Sequence, residues 1–333
     1  MSIGGLQIRS IEAGERDAVL DLLKEWLNDR AFFARYFQYD RAFRDDLCFV
    51  ATDHGNIVST FQVFRKQVRI DGQVLQVGGV GNVFTTETYR QRHIASQLLT
   101  HGLSVMADHG FDLSMLFASR LKFYSALGWQ SHLRHLLFID SDADNQPQER
   151  GNEGPYTIAP FEESNLSEIR AVYDCYSGRW NGTTVRDAEY WRGQLRYAGN
   201  PQEHFLIARQ GERLVAYLRG TTLYGFYVLM EHGYMPGHAE ALTQLVCRLH
   251  AGEAATLPGM ISHLGVEPEV QEGLRRRGLS LRQVEDVFWM WRVIDPERLA
   301  AKLRLPAKEI LAEDLFFRLL PPSESVYWIA DRF

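Results

Sequence analysis

Leu6 to Ile11 alternates apolar and polar residues with the period of a half-buried strand, and Ala18, Val19, Leu20, Leu22, Leu23, Trp26 and Leu27 then recur at helical spacing to about Asn28. Ala31 to Tyr39, crowded with Phe32, Phe33, Tyr36 and Phe37, predicts a second short helix whose rings mostly pack in the core. Three strands follow, at Leu47 to Thr52, Ile57 to Ile70 and Gln73 to Thr85, separated by Asp53-His54-Gly55-Asn56 and Asp71-Gly72, both good hairpin turns. The third carries Gly78, Gly79 and Gly81, which weaken it as a strand but permit a bulge or the close approach of a ligand or another backbone. The stripe Ile94, Leu98, Leu99, Gly102, Val105 and Met106 predicts a helix from Gln91 to His109, stopped by Gly110. Leu113 to Phe117 reads as a buried strand, Arg120 to Leu127 as a short helix ended by Gly128, and Leu133 to Ile139 as a further strand. A meander followed by strand, helix, strand, helix, strand describes an α/β fold with a mixed sheet and a crossover connection.

Residues 141–154 are polar, without period and rich in turn formers, and read as a linker. The chain beyond repeats the succession: a strand (Tyr156 to Pro160), two helices (Glu163 to Tyr176, Asp187 to Arg196), three strands (Phe205 to Arg209, Arg213 to Thr222, Gly225 to His232), a helix (His238 to Ala251), a strand (Met260 to Leu264), a helix (Glu269 to Arg276) and a strand (Leu281 to Arg292). The same order without residue identity implies a duplication inferred from topology. The expected organisation is a domain at 1–140, the linker, a second domain at 155–295 and a C-terminal helical segment and tail at 296–333.

Composition narrows this picture. The 333 residues are 45% hydrophobic and 23% charged, ordinary for a soluble protein of two domains. Net charge is −6, so no basic field is available for nucleic acid, and Arg275-Arg276-Arg277 reads as a solvated helix end. Cys48, Cys175 and Cys247 are odd in number and lack CxxC spacing, which favours reduced buried thiols over disulfides or zinc. No run approaches the ~20 apolar residues of a membrane span, and the N-terminus lacks a signal-peptide pattern, so the expectation is a cytoplasmic protein without membrane contact.

The candidate chemistry gathers at residues 80–96, where an apolar, β-prone run gives way to an Arg-rich turn and then a helix. Backbone N–H groups at a helix start have no intrahelical partner and lie at the positive end of the dipole, so that order builds an anion site. Arg90-Gln91-Arg92-His93-Ile94-Ala95, after Val83-Phe84-Thr85, resembles the acetyl-CoA signature of the GNAT acetyltransferases, Arg/Gln-x-x-Gly-x-Gly/Ala. Phe123-Tyr124-Ser125-Ala126-Leu127-Gly128-Trp129 resembles that family's later motif, a Phe-Tyr pair on a short helix followed by Gly and an aromatic. The two motifs lie in order within the first 140 residues, and together they are specific where either alone is weak.

The resemblance implies a GNAT fold and acetyl-CoA as co-substrate, without a metal. Residues 91–96 (Gln91, Arg92, His93, Ile94, Ala95, Ser96) would offer N–H groups to the pyrophosphate, with direct charge from Arg90 and Arg92, while exposed backbone at Val83, Phe84 and Thr85 pairs with the pantetheine arm and acetyl carbonyl. His93 departs from the pattern, standing where the family has Gly. Tyr124 is the candidate general acid for the departing thiolate, and Ser119 either bonds the cofactor or caps the short helix. Glu87 reads as a turn residue, Asp112 as the end of a strand and His132 as part of a surface strand, and none of the three is chosen as the base.

In the second half the helix from His238 follows Tyr234-Met235-Pro236-Gly237 without the signature, so no CoA is expected there. One active and one degenerate half look like the Eis-type acetyltransferases, whose terminal carboxylate reaches the active site of the first half. The apolar tail Ser325 to Phe333 is unlike a frayed end, and a docked Phe333 carboxylate could accept the amine's proton. Packing of the tail as a sheet strand is an equal alternative. This chain is too short for the further sterol-carrier-like domain of those proteins. Arg179-Trp180, Arg186, Tyr190-Trp191 and Tyr197 could roof an acceptor cleft or pack a domain interface. The expectation is acetyl transfer to a primary amine of a small molecule or peptide, with a homo-oligomer left open. The rival is a catalytically silent acyl-CoA-binding or interaction module.

Overall fold

The computed structural model describes residues 2–3, 6–140, 155–197, 203–223 and 225–333, so the segment read as a linker, 141–154, lies outside the described residues. The first half contains β1 (Ser2–Ile3), β2 (Leu6–Ser10), α1 (Arg16–Leu27), α2 (Arg30–Tyr39), β3 (Cys48–Asp53), β4 (Asn56–Ile70), β5 (Gln73–Thr85), α3 (Ile94–Asp108), β6 (Leu113–Phe117), α4 (Leu121–Ser125) and β7 (Gln130–Asp140). The second contains β8 (Thr157–Pro160), α5 (Leu166–Ser177), α6 (Ala188–Tyr197), β9 (His204–Gln210), β10 (Arg213–Leu223), β11 (Phe226–Tyr234), α7 (Ala239–Ala251), β12 (Gly259–Ser262), α8 (Pro268–Arg276) and β13 (Leu281–Val293). Three short helices, α9 (Pro296–Leu303), α10 (Ala307–Ile310) and α11 (Leu315–Leu319), precede the tail. The mixed α/β class and the tandem order of elements are those expected.

The strands form one thirteen-stranded sheet in the order β1-β2-β3-β4-β5-β6-β13-β7-β12-β11-β10-β9-β8. Read inward from either end, an antiparallel meander meets a parallel pair spanned by a helix, β5–β6 over α3 and β11–β12 over α7. The two halves then exchange strands. β13, which ends the second half, pairs antiparallel with β6, and β7, which ends the first, pairs antiparallel with β12. β7 and β13 pair with each other along most of their length, so the sheet runs unbroken across the pseudo-twofold.

Strand alternation decides what lies on each face. In the first half Phe49, Ala51, Phe61 and Val63 face α3 through Ile94, Leu98 and Leu99, while Cys48 and Val50 face α1 and α2 through Leu20, Leu23 and Phe33. Further along β4 and β5, Val68, Ile70, Leu75 and Val77 pack under α9–α11 through Leu299, Leu315, Phe316 and Leu320. The tail contributes Val326, Tyr327, Trp328 and Ala330, all at most 1% exposed.

Two expectations are corrected. α3 starts at Ile94 and not Gln91, because Gln91 (φ 62°) and His93 (φ 59°) are left-handed and cannot continue a right-handed helix. Of the three thiols only Cys48 is buried; Cys175 is exposed, since the stripe of α5 that packs inward is Ile169, Val172, Tyr173 and Tyr176.

Candidate active site

β5 pairs with β4 from Gln73 to Thr85 but with β6 only through Val77, Gly78 and Gly79, opposite Leu113, Ser114 and Met115. Past Gly79 the two parallel strands part, and among the described residues no strand pairs with the open side of Val80 to Thr85. A register shift between Thr60 and Gln62, opposite Asn82 in left-handed conformation (φ 54°), sharpens the divergence. After it Val83 turns toward the α3 side and Phe84 toward α1, where Trp26 stacks on it at 6.4 Å. The Ser59 hydroxyl donates to the Phe84 carbonyl at 2.9 Å and meets Thr85 Oγ1 at 2.8 Å, which fixes the rim. Backbone groups on such an opened edge are available to an extended ligand.

The rim leads into a one-turn 3-10 helix, Glu87–Tyr89, and then the basic turn. Arg90 donates to the Thr85 carbonyl at 3.1 Å with its guanidinium 5.7 Å from the Phe84 ring centroid, and Arg92 lies 4.8 Å from that of Tyr89, itself bonded to Asp53 at 2.7 Å. Arg90, Gln91, Arg92 and His93 are exposed, while Ile94 is buried and anchors the helix. His93 is the N-cap residue and no side chain caps α3, so the first N–H groups, including those of Ile94, Ala95 and Ser96, point outward without a side-chain partner. A helix start bare of caps beside two exposed arginines suits a phosphate chain.

Tyr124 stands on α4, half-buried, its ring edge-on to Phe123 at 4.9 Å and to Trp129 at 6.1 Å. Trp129 is fully buried and donates to Ser114 Oγ at 3.3 Å, which ties α4 to the strand that forms the cleft's far wall. Burial pushes the Tyr124 phenol up to about 12, so it holds its proton. Ser119 is exposed and does not cap α4: the cap position is Arg120 and no side chain bonds there.

The chain's last residue lies at the apex of the cleft. The Phe333 ring stacks on Phe64 at 5.2 Å and sits 6.1 Å from Phe117, and a Cβ on Gly79 would run into it. A Cβ on Gly81 would stand 3.3 Å from the Phe333 carboxyl carbon. The glycines therefore make room for the chain's own terminus. The structure thus brings Phe333 to β5 of the cleft, while Arg90 to Ser96 lie past its open end and Tyr124 is tied to its far wall. The tail forms no strand; its one ladder contact is a bridge from Ser325 to Asn181.

The residues passed over as bases are placed by their contacts. Asp112 Oδ2 accepts from Gln76 N–H and from Lys302 Nζ, both at 2.7 Å, and secures the start of β6. His132 is buried, not on a surface strand as its neighbours suggested, because β13 covers it with Trp289 at 5.4 Å; burial lowers it to about 4. Glu87 is exposed in the turn.

Beside Phe64 on β4, a cavity of about 380 Å³ is bounded by Asp40, Lys66 and Gln76 of the first half and by Val185, Asp187 and Tyr190 of the second. Asp40 and Lys66 are buried, burial raising the one and lowering the other. Lys66 Nζ donates to Tyr190 Oη at 2.8 Å. Of the described side chains in the cluster expected to roof a cleft, only Tyr190 lines this cavity, and the Tyr197 side chain lies outside the described residues. Arg186 and Trp191 are core residues, and Arg179 stands over the Tyr176 ring. Asp40, Lys66, Glu231 and Asp331 were not singled out from sequence. The available signal was Asp331 as a lone acid in an apolar tail.

A family model for the acetyltransferase (GNAT) domain matches residues 7–131. No curated protein matches the chain. Among solved structures, a conserved protein of Enterococcus faecalis V583 described as a probable N-acyltransferase is similar over 89% of this chain and 74% of its own, with 15% identity and a TM-score of 0.69. Eis1 of Mycobacterium abscessus is similar over 87% and 74%, at 14% identity and a TM-score of 0.58. N-myristoyltransferase of Saccharomyces cerevisiae, with bound myristoyl-CoA, is similar over 88% and 80%, at 8% identity and a TM-score of 0.54. At these identities the likeness is one of fold. Among the described residues no group of three or more His, Cys, Asp or Glu could hold a metal, and no helix is long and apolar enough to cross a membrane.

Proposed function

We propose that this chain, whose residues 7–131 match the acetyltransferase (GNAT) domain within a tandem GNAT-like fold, transfers acetyl from acetyl-CoA to a primary amine of a small molecule or peptide. One observation carries the reading: β5 leaves β6 at Gly79, with the chain terminus over the apex and the uncapped basic helix start beyond the open end.

Pyrophosphate would lie on the N–H groups of Ile94 to Ser96 within reach of Arg90 and Arg92, and the pantetheine arm would pair with the open edge of Val83 to Thr85. The cavity at Asp40, Lys66 and Tyr190 supports an acceptor site shared by the two halves. In the reaction the amine nitrogen attacks the thioester carbonyl carbon, a C–N bond forms and the C–S bond breaks. The amine's proton passes to the Phe333 carboxylate, and the Tyr124 proton goes to the departing sulfur, giving an amide and free CoA thiol.

The test is thiol release from acetyl-CoA across an amine panel. At least one amine releases thiol, and Tyr124→Phe lowers its kcat by about 100-fold, the scale of one general acid, with acetyl-CoA affinity unchanged. Acetyl-CoA binding with no thiol release from any acceptor would make the protein a silent acyl-CoA-binding module. Full turnover in Tyr124→Phe with an unchanged pH profile removes the acid from the mechanism.

A further inference from the structure

We infer that Asp331 is a positioning residue: gripped by Arg186 and Tyr190 of the second half, it sets where the Phe333 carboxylate stands over the cleft of the first. This rests on the reading that the terminal carboxylate takes the amine's proton.

The tail is fastened at every step before its end. Val326 N–H donates to the Asn181 carbonyl at 2.8 Å, and Trp328 Nε1 donates to Ser177 Oγ at 3.2 Å. Gln194 Nε2 donates to the Ala330 carbonyl at 2.7 Å, and the Tyr327 hydroxyl to the Asp331 carbonyl at 2.9 Å. The Asp331 carboxylate then takes three donors: Arg186 Nε at 3.0 Å and Tyr190 Oη at 2.8 Å on Oδ1, and Arg186 Nη2 at 2.8 Å on Oδ2. The other edge of Arg186 is bidentate to Glu231 on β11, at 2.9 and 2.8 Å. The side chains of Arg186, Glu231 and Asp331 are wholly buried. Burial pushes the Asp331 carboxyl up, Arg186 outweighs that, and the group stays below the ordinary carboxylate range, charged.

Four features make this cluster a positioning device and more than cohesion. Burying ions is costly, and an apolar packing of the same volume often serves stability as well, so two wholly buried carboxylates sharing one guanidinium hold geometry above all. The cluster reaches the cleft strand itself, because Tyr190 also accepts from Lys66 on β4, two residues from the Phe64 ring on which Phe333 stacks. Only Arg332 separates Asp331 from the terminus, and its guanidinium lies 4.3 Å from the Phe117 ring centroid, on the strand across the cleft. Its extended backbone (φ −62°, ψ 157°) passes any shift of Asp331 directly to the carboxylate.

Three variants test this by steady-state kinetics and circular dichroism. A single glycine added after Phe333 leaves the clamp intact and moves the carboxylate. Asp331→Asn keeps shape and removes charge, and Tyr190→Phe removes one hydroxyl and is the mildest. The extension and Asp331→Asn each lower kcat by about 100-fold, the cost of misplacing a reacting group by about 1 Å. Tyr190→Phe lowers it by about tenfold, the lower end for one hydrogen bond to a charge. KM for acetyl-CoA stays unchanged in all three, acceptor KM rises only in Tyr190→Phe, whose hydroxyl also faces the acceptor cavity, and the low-pH limb of kcat moves. If Asp331→Asn does not fold, kcat of Tyr190→Phe at saturating acceptor decides. If the extension abolishes turnover while the clamp variants keep wild-type kcat per folded molecule, the positioning role is overturned and the terminal base stands. If the extension itself leaves kcat untouched, the terminal base falls, and the clamp's role with it.

Discussion

The molecule contains two parted strand pairs related by the pseudo-twofold, and the same tail enters both. β11 pairs with β12 only at Tyr227 and Val228, as β5 pairs with β6 only to Gly79, so each half opens past its short parallel stretch. In the second half the opening is filled. Trp328, fully buried, meets His232 at 4.8 Å, His263 at 5.7 Å and Tyr176 at 6.0 Å. Tyr176 and Tyr234 both donate to Glu267, and Arg179 lies 4.6 Å from the Tyr176 ring centroid. In the first half Phe333 enters at the apex, over two glycines. The helix starts differ in the same sense. Arg90 and Arg92 precede α3, whereas a cavity of about 510 Å³ at the start of α7 is lined by Glu240, Glu269 and Glu272, with Arg276 facing Glu272 and Arg277 paired to Glu240, a net acidic wall that disfavours phosphate. The two clefts share one design; side chains make one a socket for the tail and leave the other open.

The largest break of this contrast is removal of the plug. Trp328→Ala deletes a fully buried indole and costs about 3–5 kcal/mol, read as a lower midpoint in denaturant titration. Acetyl-CoA affinity of the folded fraction stays unchanged, because the indole belongs to the closed cleft. A variant of full stability would show that the second cleft closes without its plug. Tighter phosphate binding at α7 would contradict the electrostatic account of its wall.

Acid probes the same contrast more gently. Burial lowers His232 from 6.5 to about 3. Between those values the unfolded chain binds a proton that the folded chain refuses, so stability rises with pH and is lost as pH falls from about 6.5 toward 3. Glu267, raised by burial above its ordinary 4.5, titrates with the opposite sign from that value upward. The difference between proteins therefore carries the information. In His232→Gln the melting temperature declines less steeply from pH 6.5 to 4 than in the wild type. Parallel declines would place the acid sensitivity outside the closed cleft.

Much of this was legible because it is periodic. β6 is found at Leu113–Phe117 as read from its apolar run, and β4 and β5 fall within a residue of their expected bounds. Local pattern cannot name a strand's partner, however. β7 and β13 read as ordinary terminal strands, and their exchange between halves depends on contacts more than a hundred residues apart. The buried ions were illegible for a related reason. Arg186, Glu231, Arg219 and Asp331 have the composition of a surface and become core only because each finds a partner distant in sequence. His132 was placed on a surface for want of knowing that β13 would cover it.

His93 is where the two helix starts differ least in backbone and most in side chain. The second half has Gly237 at φ 81° just before α7, a bare backbone with no arginines, while the first has its arginines and an imidazole at φ 59°. Left-handed backbone costs a non-glycine residue roughly 1–2 kcal/mol, and glycine in turn loses about 0.5–1 kcal/mol to the greater freedom of its unfolded chain. The first equals or exceeds the second, so His93→Gly leaves stability equal or raises it by up to about 1.5 kcal/mol. The substitution gives the first half the bare turn of the second without its acidic wall. Calorimetry with acetyl-CoA then finds affinity equal or tighter, since phosphate gains access to the backbone and Arg90 and Arg92 remain. A loss of tenfold or more would instead show that the exposed imidazole donates to the phosphates, and that the first half has replaced close backbone approach with a side chain.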